Sequence, residues 1–208
     1  MTATPPRVVL ASRNEHKVVE IRRILGDAGA PLDLVGVTEF PDVDDVVESG
    51  LTFTENALLK ARTVAEVTGL PALADDSGIS VDAMNGMPGV FSGRWCGRHG
   101  DDAANLELLL GQLRDVPDEH RGAAFVCVAA FVDPRDPATG QEIVQEGRLP
   151  GTLLREPRGA GGFGYDPIFV PEGDTRATAE MTPEEKNAIS HRGRAFRAIA
   201  PLLFDRLG

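Results

Sequence analysis

At 208 residues, 42% hydrophobic and 25% charged, the chain has the size and composition of a globular protein with one sizeable core, or two lobes sharing a cleft. Its formal net charge of −11 disfavours general binding to a nucleic-acid polymer by phosphate neutralisation, whereas a small phosphate ligand needs only a local cluster of donors. No apolar run approaches the roughly 18 residues of a membrane span, Met1 to Arg7 lacks an apolar signal core, and Cys96 and Cys127 make no disulfide framework, so the expected setting is a reducing cytoplasm.

Val8 to Ala11 reads as a buried strand. After Ser12-Arg13-Asn14-Glu15-His16-Lys17, apolar residues recur with helical spacing at Val18, Ile21, Leu25 and Ala28. Gly26, Gly29 and Pro31 mark the stop, and Leu32 to Val37 predicts a second strand; strand, helix and strand in that order open an α/β architecture. Asp42 to Gly50 is acidic and turn-like. Thr52 and Glu55 have capping-box spacing ahead of a helix through Val67, closed by Gly69 and Pro71. Pro71 to Ala74 predicts a short strand, Asp75-Asp76-Ser77-Gly78 a turn, and Ile79 to Met84 a further short strand. Asn85 to Gly100 is a Gly-rich loop, and Asp101 caps a helix to about Arg114. Ala123 to Val132 is the clearest strand, followed by the turn residues Asp133-Pro134-Arg135-Asp136-Pro137, with Glu142 to Arg148 read as the antiparallel return. Phe163 to Val170 is strand-like. Thr182, Pro183 and Glu185 start a last helix carrying Ile189, Phe196, Ile199 and Leu203. No repeat or linker divides the chain, so residues 1–208 are read as a single domain.

Four places carry chemistry, each beside a structural alternative. Ser12, Asn14 and Lys17 follow the first strand, where an open α/β sheet binds phosphates, or else they cap a helix. Asp75 and Asp76 repel each other unless a hard cation such as magnesium compensates, with Glu48 as a further ligand; otherwise they belong to an Asp-rich turn. Gly159 to Gly164 matches GxGxxG but runs into Pro167, which no helix interior accepts, so a dinucleotide fingerprint is rejected. A flexible glycine run there offers Phe163 and Tyr165 as a stacking face for a base, or anchors them in the core. Lys186, His191 and Arg192 are donors near the last helix, or an exposed face. A P-loop and a GxSxG elbow are absent from the sequence.

Five segments taken together resemble the inosine triphosphate pyrophosphatase family, whose bacterial members are dITP/XTP pyrophosphatases. They are Ser12–Lys17, Gly50–Ala57, Ala74–Gly78, Gly162–Pro167 and Glu185–Gly193, in the family's order. The resemblance implies a two-lobed α/β protein on a long twisted mixed sheet flanked by helices, with the active site in the cleft, and a homodimer. It implies Mg2+-dependent hydrolysis of ITP, dITP and XTP to the monophosphate and pyrophosphate. By position, Ser12, Asn14 and Lys17 look like the triphosphate site, Glu48 and Asp76 like metal ligands, Asp76 like the general base, and Ser77 like a substrate contact. Phe163, Gly164, Tyr165, Asp166, Lys186, His191 and Arg192 look like the base site. Donor-only side chains such as Lys186 and Arg192 suit a 6-oxo purine and leave an adenine amino group unpaired. The rivals are a pyrophosphatase for modified pyrimidines and a non-catalytic nucleotide-binding module. Asp75 is left without a role.

Overall fold

The computed structural model describes residues 5–30, 32–135 and 142–207; Pro31 and Asp136-Pro137 of the expected breaks lie outside them. In chain order the elements are β1 (Arg7–Leu10), α1 (Glu15–Asp27), β2 (Asp33–Gly36), α2 (Phe53–Thr68), β3 (Ala72–Val81), α3 (Asp102–Gln112), β4 (Gly122–Val132), β5 (Glu142–Leu153), β6 (Phe169–Pro171), α4 (Pro183–Ile189) and α5 (His191–Leu207). They form a six-stranded sheet in the order β2-β1-β3-β4-β5-β6. β1 pairs in parallel with β2 (Val9 opposite Val35) and with β3 (Leu10 opposite Leu73), while β5 and β6 are antiparallel (Thr152 opposite Val170). The sheet is mixed and flanked by helices, as expected. Among the described residues no helix is long and apolar enough to cross a membrane.

Contacts divide the chain into two compact units. The first comprises Met1–Asp76, Cys127–Gly147 and Gly193–Gly208; the second comprises Ser77–Val126 and Arg148–Arg192. In the first unit, strand alternation sorts the core into two faces. Val8, Leu10 and Leu73 meet Val18, Ile21 and Leu25 of α1 and Phe196, Ile199 and Leu203 of α5. Val9 and Ala72 meet Val64 and Ala65 of α2, and Ala74 meets Ala57 and Ala61 of the same helix. A fully buried Leu or Ile on these faces contributes about 1.5–3 kcal/mol, so packing decides the positions of α1 and α2. In the second unit Ile79, Val81, Phe125, Leu153, Tyr165 and Phe169 pack with Leu109 and Leu113. Arg121, 2% exposed, ties this unit together: its guanidinium donates to the carbonyls of Leu113 (2.6 Å), Leu153 (2.9 Å) and Leu154 (2.7 Å).

Several boundaries differ from the sequence reading. Asp75-Asp76-Ser77-Gly78 is no turn; it lies within the continuous strand β3, and Ile79 to Met84 is strand only to Val81. Strand pairing and buried side-chain partners override the turn preference of Asp, Ser and Gly. The stretch Phe163 to Val170 becomes strand only at Phe169, because Pro167 sits in a 3₁₀ turn over Asp166–Ile168. The return strand runs on to Leu153. The last helix is two helices, broken at Ser190, whose ψ of 146° is extended.

Candidate active site

β1 hands the chain to a polar turn. Ser12 Oγ accepts from the Asn14 amide and Asn14 Oδ1 from the Lys17 amide, each at 3.2 Å, so Asn14 caps α1. Lys17 therefore stands in the first helical turn, where the helix dipole disfavours a cation. Its ammonium is 2.6 Å from Asp75 Oδ1. Asp75 is buried, and its Oδ2 accepts from the Cys127 thiol at 3.8 Å.

Asp76 leaves β3 on the other face, towards α2. Asn56 and Lys60, four residues apart, share one side of that helix. Asn56 Nδ2 donates to Asp76 Oδ2 and Lys60 Nζ to Asp76 Oδ1, each at 3.2 Å. Lys60 Nζ also donates to Glu48 Oε1 at 2.6 Å. The loop bearing Glu48 is held close by the Gly50 amide, which donates to Asn56 Oδ1 at 2.8 Å. A Cβ on Gly50 would lie 2.7 Å from that oxygen, so the approach requires glycine. Burial pushes the Asp76 carboxyl above its ordinary value; Lys60 pulls it back and Glu48 pushes it up again. Burial works against the Lys60 ammonium, but Asp76, Asp75 and Glu48 outweigh it and hold its pKa above the ordinary value.

In the second unit a buried carboxylate organises the glycine-rich segment. Asp166 accepts from the Phe163 amide at 2.8 Å, from Thr178 Oγ1 at 2.9 Å and from Lys186 Nζ at 2.5 Å. Lys186 Nζ stands 4.7 Å from the centroid of the Phe163 ring, and Phe163 is 65% exposed. The run is pinned rather than free: Gly161 N–H donates to the Ala179 carbonyl, Gly164 N–H donates to Asp102 Oδ2, and a Cβ on Gly162 would strike the Asp166 carboxylate. Tyr165 is in the core with its hydroxyl donating to the Ser92 carbonyl at 2.9 Å, and burial raises its pKa. His191 stacks on Phe125 at 5.0 Å and, with Arg192, opens α5. Ser77 continues β3 directly after Asp76.

A sequence profile of the Ham1 family matches residues 8–202. The chain belongs to the Ham1 family. A dITP/XTP pyrophosphatase of Streptomyces coelicolor is 61% identical, with 97% of this chain and 99% of that protein aligned. The crystal structure of a nucleoside-triphosphatase / dITP/XTP pyrophosphatase from Mycobacterium abscessus matches with a TM-score of 0.79 at 54% identity, covering 94% of this chain and 99% of that one. A HAM1 protein from Coxiella burnetii matches at 0.87 and 44% identity, covering 96% and 99%.

Within this Ham1 chain the fold brings Glu48 to Asp76, Lys17 to Asp75, and Phe163 to Asp166 and Lys186. Three residues went unassigned in the sequence: Asn56 and Lys60 beside Asp76 in the first unit, and Thr178 beside Asp166 in the second. The four-residue interval from Asn56 to Lys60, on a helix face otherwise built of Ala57 and Ala61, was the available signal. Thr178 left none. Glu48 Oε1 and Asp76 Oδ1 already converge on one cationic atom, Lys60 Nζ, and hard carboxylate oxygens at a shared point fit a divalent cation. Among the described residues no group of three or more His, Cys, Asp or Glu side chains is arranged to hold a metal. A two-carboxylate site suits magnesium, which fills its other positions with water and phosphate oxygens.

Proposed function

We propose that this chain hydrolyses deaminated purine nucleoside triphosphates (ITP and dITP, XTP and dXTP) to the monophosphate and pyrophosphate, clearing them from the pool before they enter DNA or RNA. The observation that carries the reading is the convergence of Glu48 and Asp76 on Lys60 Nζ, in a Ham1-family chain whose relative is named a dITP/XTP pyrophosphatase.

In this reading Glu48 and Asp76 hold Mg2+, which when bound screens the phosphate oxygens and acidifies water. Asp76 takes the proton of the attacking water. Ser12, Asn14 and Lys17 bind the triphosphate, with Lys17 facing charge on the departing pyrophosphate, and Ser77 contacts the substrate. The base is held by Phe163 to Asp166, Lys186, His191 and Arg192. The exposed Phe163 ring supplies the stacking face and Lys186 a donor for the 6-oxo group, while Gly164, Tyr165 and Asp166 support them. The protein works as one domain over 1–208, as a homodimer, in the cytoplasm; the dimer rests on the family resemblance and the setting on the free thiols of Cys96 and Cys127, and sedimentation tests the dimer.

The deciding experiment follows monophosphate and pyrophosphate released from ITP, XTP, GTP and ATP, with Mg2+ and with chelator. ITP and XTP should turn over with Mg2+ only, and ATP far more slowly. Equal rates on ATP would refute the 6-oxo argument, and a modified pyrimidine outrunning ITP would favour the rival substrate class. Asp76→Asn should keep the fold and lose turnover by about three orders of magnitude or more; near-normal turnover would sink the base assignment.

A further inference from the structure

Asp75 has no part in the reading above, yet its surroundings are specific. Consecutive strand residues project to opposite faces. Asp75 leaves β3 with Leu73, on the face covered by α1, and Asp76 leaves with Ala74, on the face covered by α2. The two adjacent carboxylates therefore serve different helices. Asp75 is 5% exposed, and each of its oxygens has a donor: Lys17 Nζ at 2.6 Å on Oδ1 and the Cys127 thiol at 3.8 Å on Oδ2.

Lys17 needs such a partner. Its flexible stem rises from the first turn of α1, where the dipole repels a cation, and its side chain is 23% exposed. An ammonium has three N–H donors. One held by a buried carboxylate fixes the direction of the other two.

We infer that Asp75 is a positioning residue: its carboxylate, oriented by the Cys127 thiol, aims the Lys17 ammonium at the pyrophosphate end of the triphosphate and takes no part in holding the metal. The inference rests on the reading of Lys17 as a phosphate ligand. It divides the Asp75-Asp76 pair by sheet face, one carboxylate for the phosphate cation and one for the metal.

The test is a double-mutant cycle in the full chain on ITP, with two binding measurements beside it. Asp75→Asn should weaken inorganic pyrophosphate binding and raise the KM for ITP by roughly 10–100-fold, with a smaller change in kcat, since displacement of a positioned group by about 1 Å costs on that order. Asp75→Glu should recover most of the loss. Lys17→Ala combined with Asp75→Asn should be no worse than Lys17→Ala alone within about threefold, because the second change acts through the first. Mn2+ alone, titrated without nucleotide, should bind Asp75→Asn as it binds the unsubstituted protein and bind Asp76→Asn more weakly. Losses that multiply in the double variant, or a fall in Mn2+ affinity with Asp75→Asn, would overturn the inference. So would unchanged pyrophosphate binding in Asp75→Asn beside an impaired Lys17→Ala, and then the phosphate-site reading would survive. Lys17→Ala hydrolysing ITP at the unsubstituted rate would overturn that reading and this inference together. If Asp75→Asn melts too low to assay, Asp75→Glu with and without Lys17→Ala completes the cycle under the same criterion.

Discussion

Replacing Lys60 with methionine keeps much of the side-chain stem and removes the charge that Glu48 and Asp76 share. The ammonium is 2.6 Å from Glu48 Oε1 and 3.2 Å from Asp76 Oδ1, so the two oxygens lie within about 6 Å of each other. At that separation and an effective dielectric of about 20, two unit charges repel by about 3 kcal/mol. For 208 residues such a loss lowers the melting temperature by roughly 6–12 °C. The deficit belongs to the metal-free protein. A divalent cation at the same point replaces the lost charge without having to displace an ammonium, so Lys60→Met should gain more from saturating Mg2+ than the unsubstituted protein does. Differential scanning calorimetry at neutral pH, in chelator and in Mg2+, reads both numbers. The expected result is a deficit in chelator that shrinks by more than half in Mg2+. An equal deficit in both buffers would refute the reasoning, because Lys60 would then act through packing alone.

Arg121→Met removes the guanidinium from the carbonyls of Leu113, Leu153 and Leu154, of which Leu113 keeps the Val116 amide at 3.1 Å, at about 1–3 kcal/mol for each group left unsatisfied. A fall in melting temperature of roughly 10 °C is expected, and a shift under about 2 °C would show that the guanidinium is dispensable. Gly50→Ala places a methyl group 2.7 Å from Asn56 Oδ1 and should cost about 1–3 kcal/mol of stability while displacing Glu48; unchanged stability together with unchanged Mg2+ dependence of ITP hydrolysis would count against the tight loop. Asp174 is held at about 2 against its reference of 3.8, chiefly by the Arg176 side chain and then by the Arg176 amide. A carboxyl lowered on folding stabilises the fold above its unfolded value, and that contribution fades as pH falls from 3.8 towards 2. Asp174→Asn should flatten the urea midpoint over that window, and a curve superimposed on the unsubstituted one would exclude the contribution.

Elements whose signals are local were legible in the sequence. The apolar run Val8 to Leu10 needs no partner to be recognised, and the Thr52–Glu55 box closes within one helical turn, with Thr52 Oγ1 and Glu55 Oε2 in their expected hydrogen bonds. The segment after Ala74 was misread because what keeps Asp75 and Asp76 in a strand comes from far along the chain, from Lys17 on α1 and from Asn56 and Lys60 on α2. Local preference records none of those partners. The glycine run at 159–164 was misjudged as flexible for the same reason: its restraints are Ala179, Asp102 and Asp166. Of the site, residue types and their order could be read; which carboxylate meets which ammonium could not, since strand alternation and helix facing decide it.

Neither compact unit is an unbroken stretch of chain, and the first is assembled from three stretches, the last beginning at Gly193. Its core needs Phe196, Ile199 and Leu203 of α5 against Ile21 and Leu25 of α1. During synthesis, β1 and α1 emerge well before α5 and keep an open apolar face until α5 follows. That unit is thus exposed to aggregation and chaperone capture for as long as α5 has not emerged. A ribosome stalled before Phe196 would hold a chain with much of the chemistry encoded and no closed first unit to carry it.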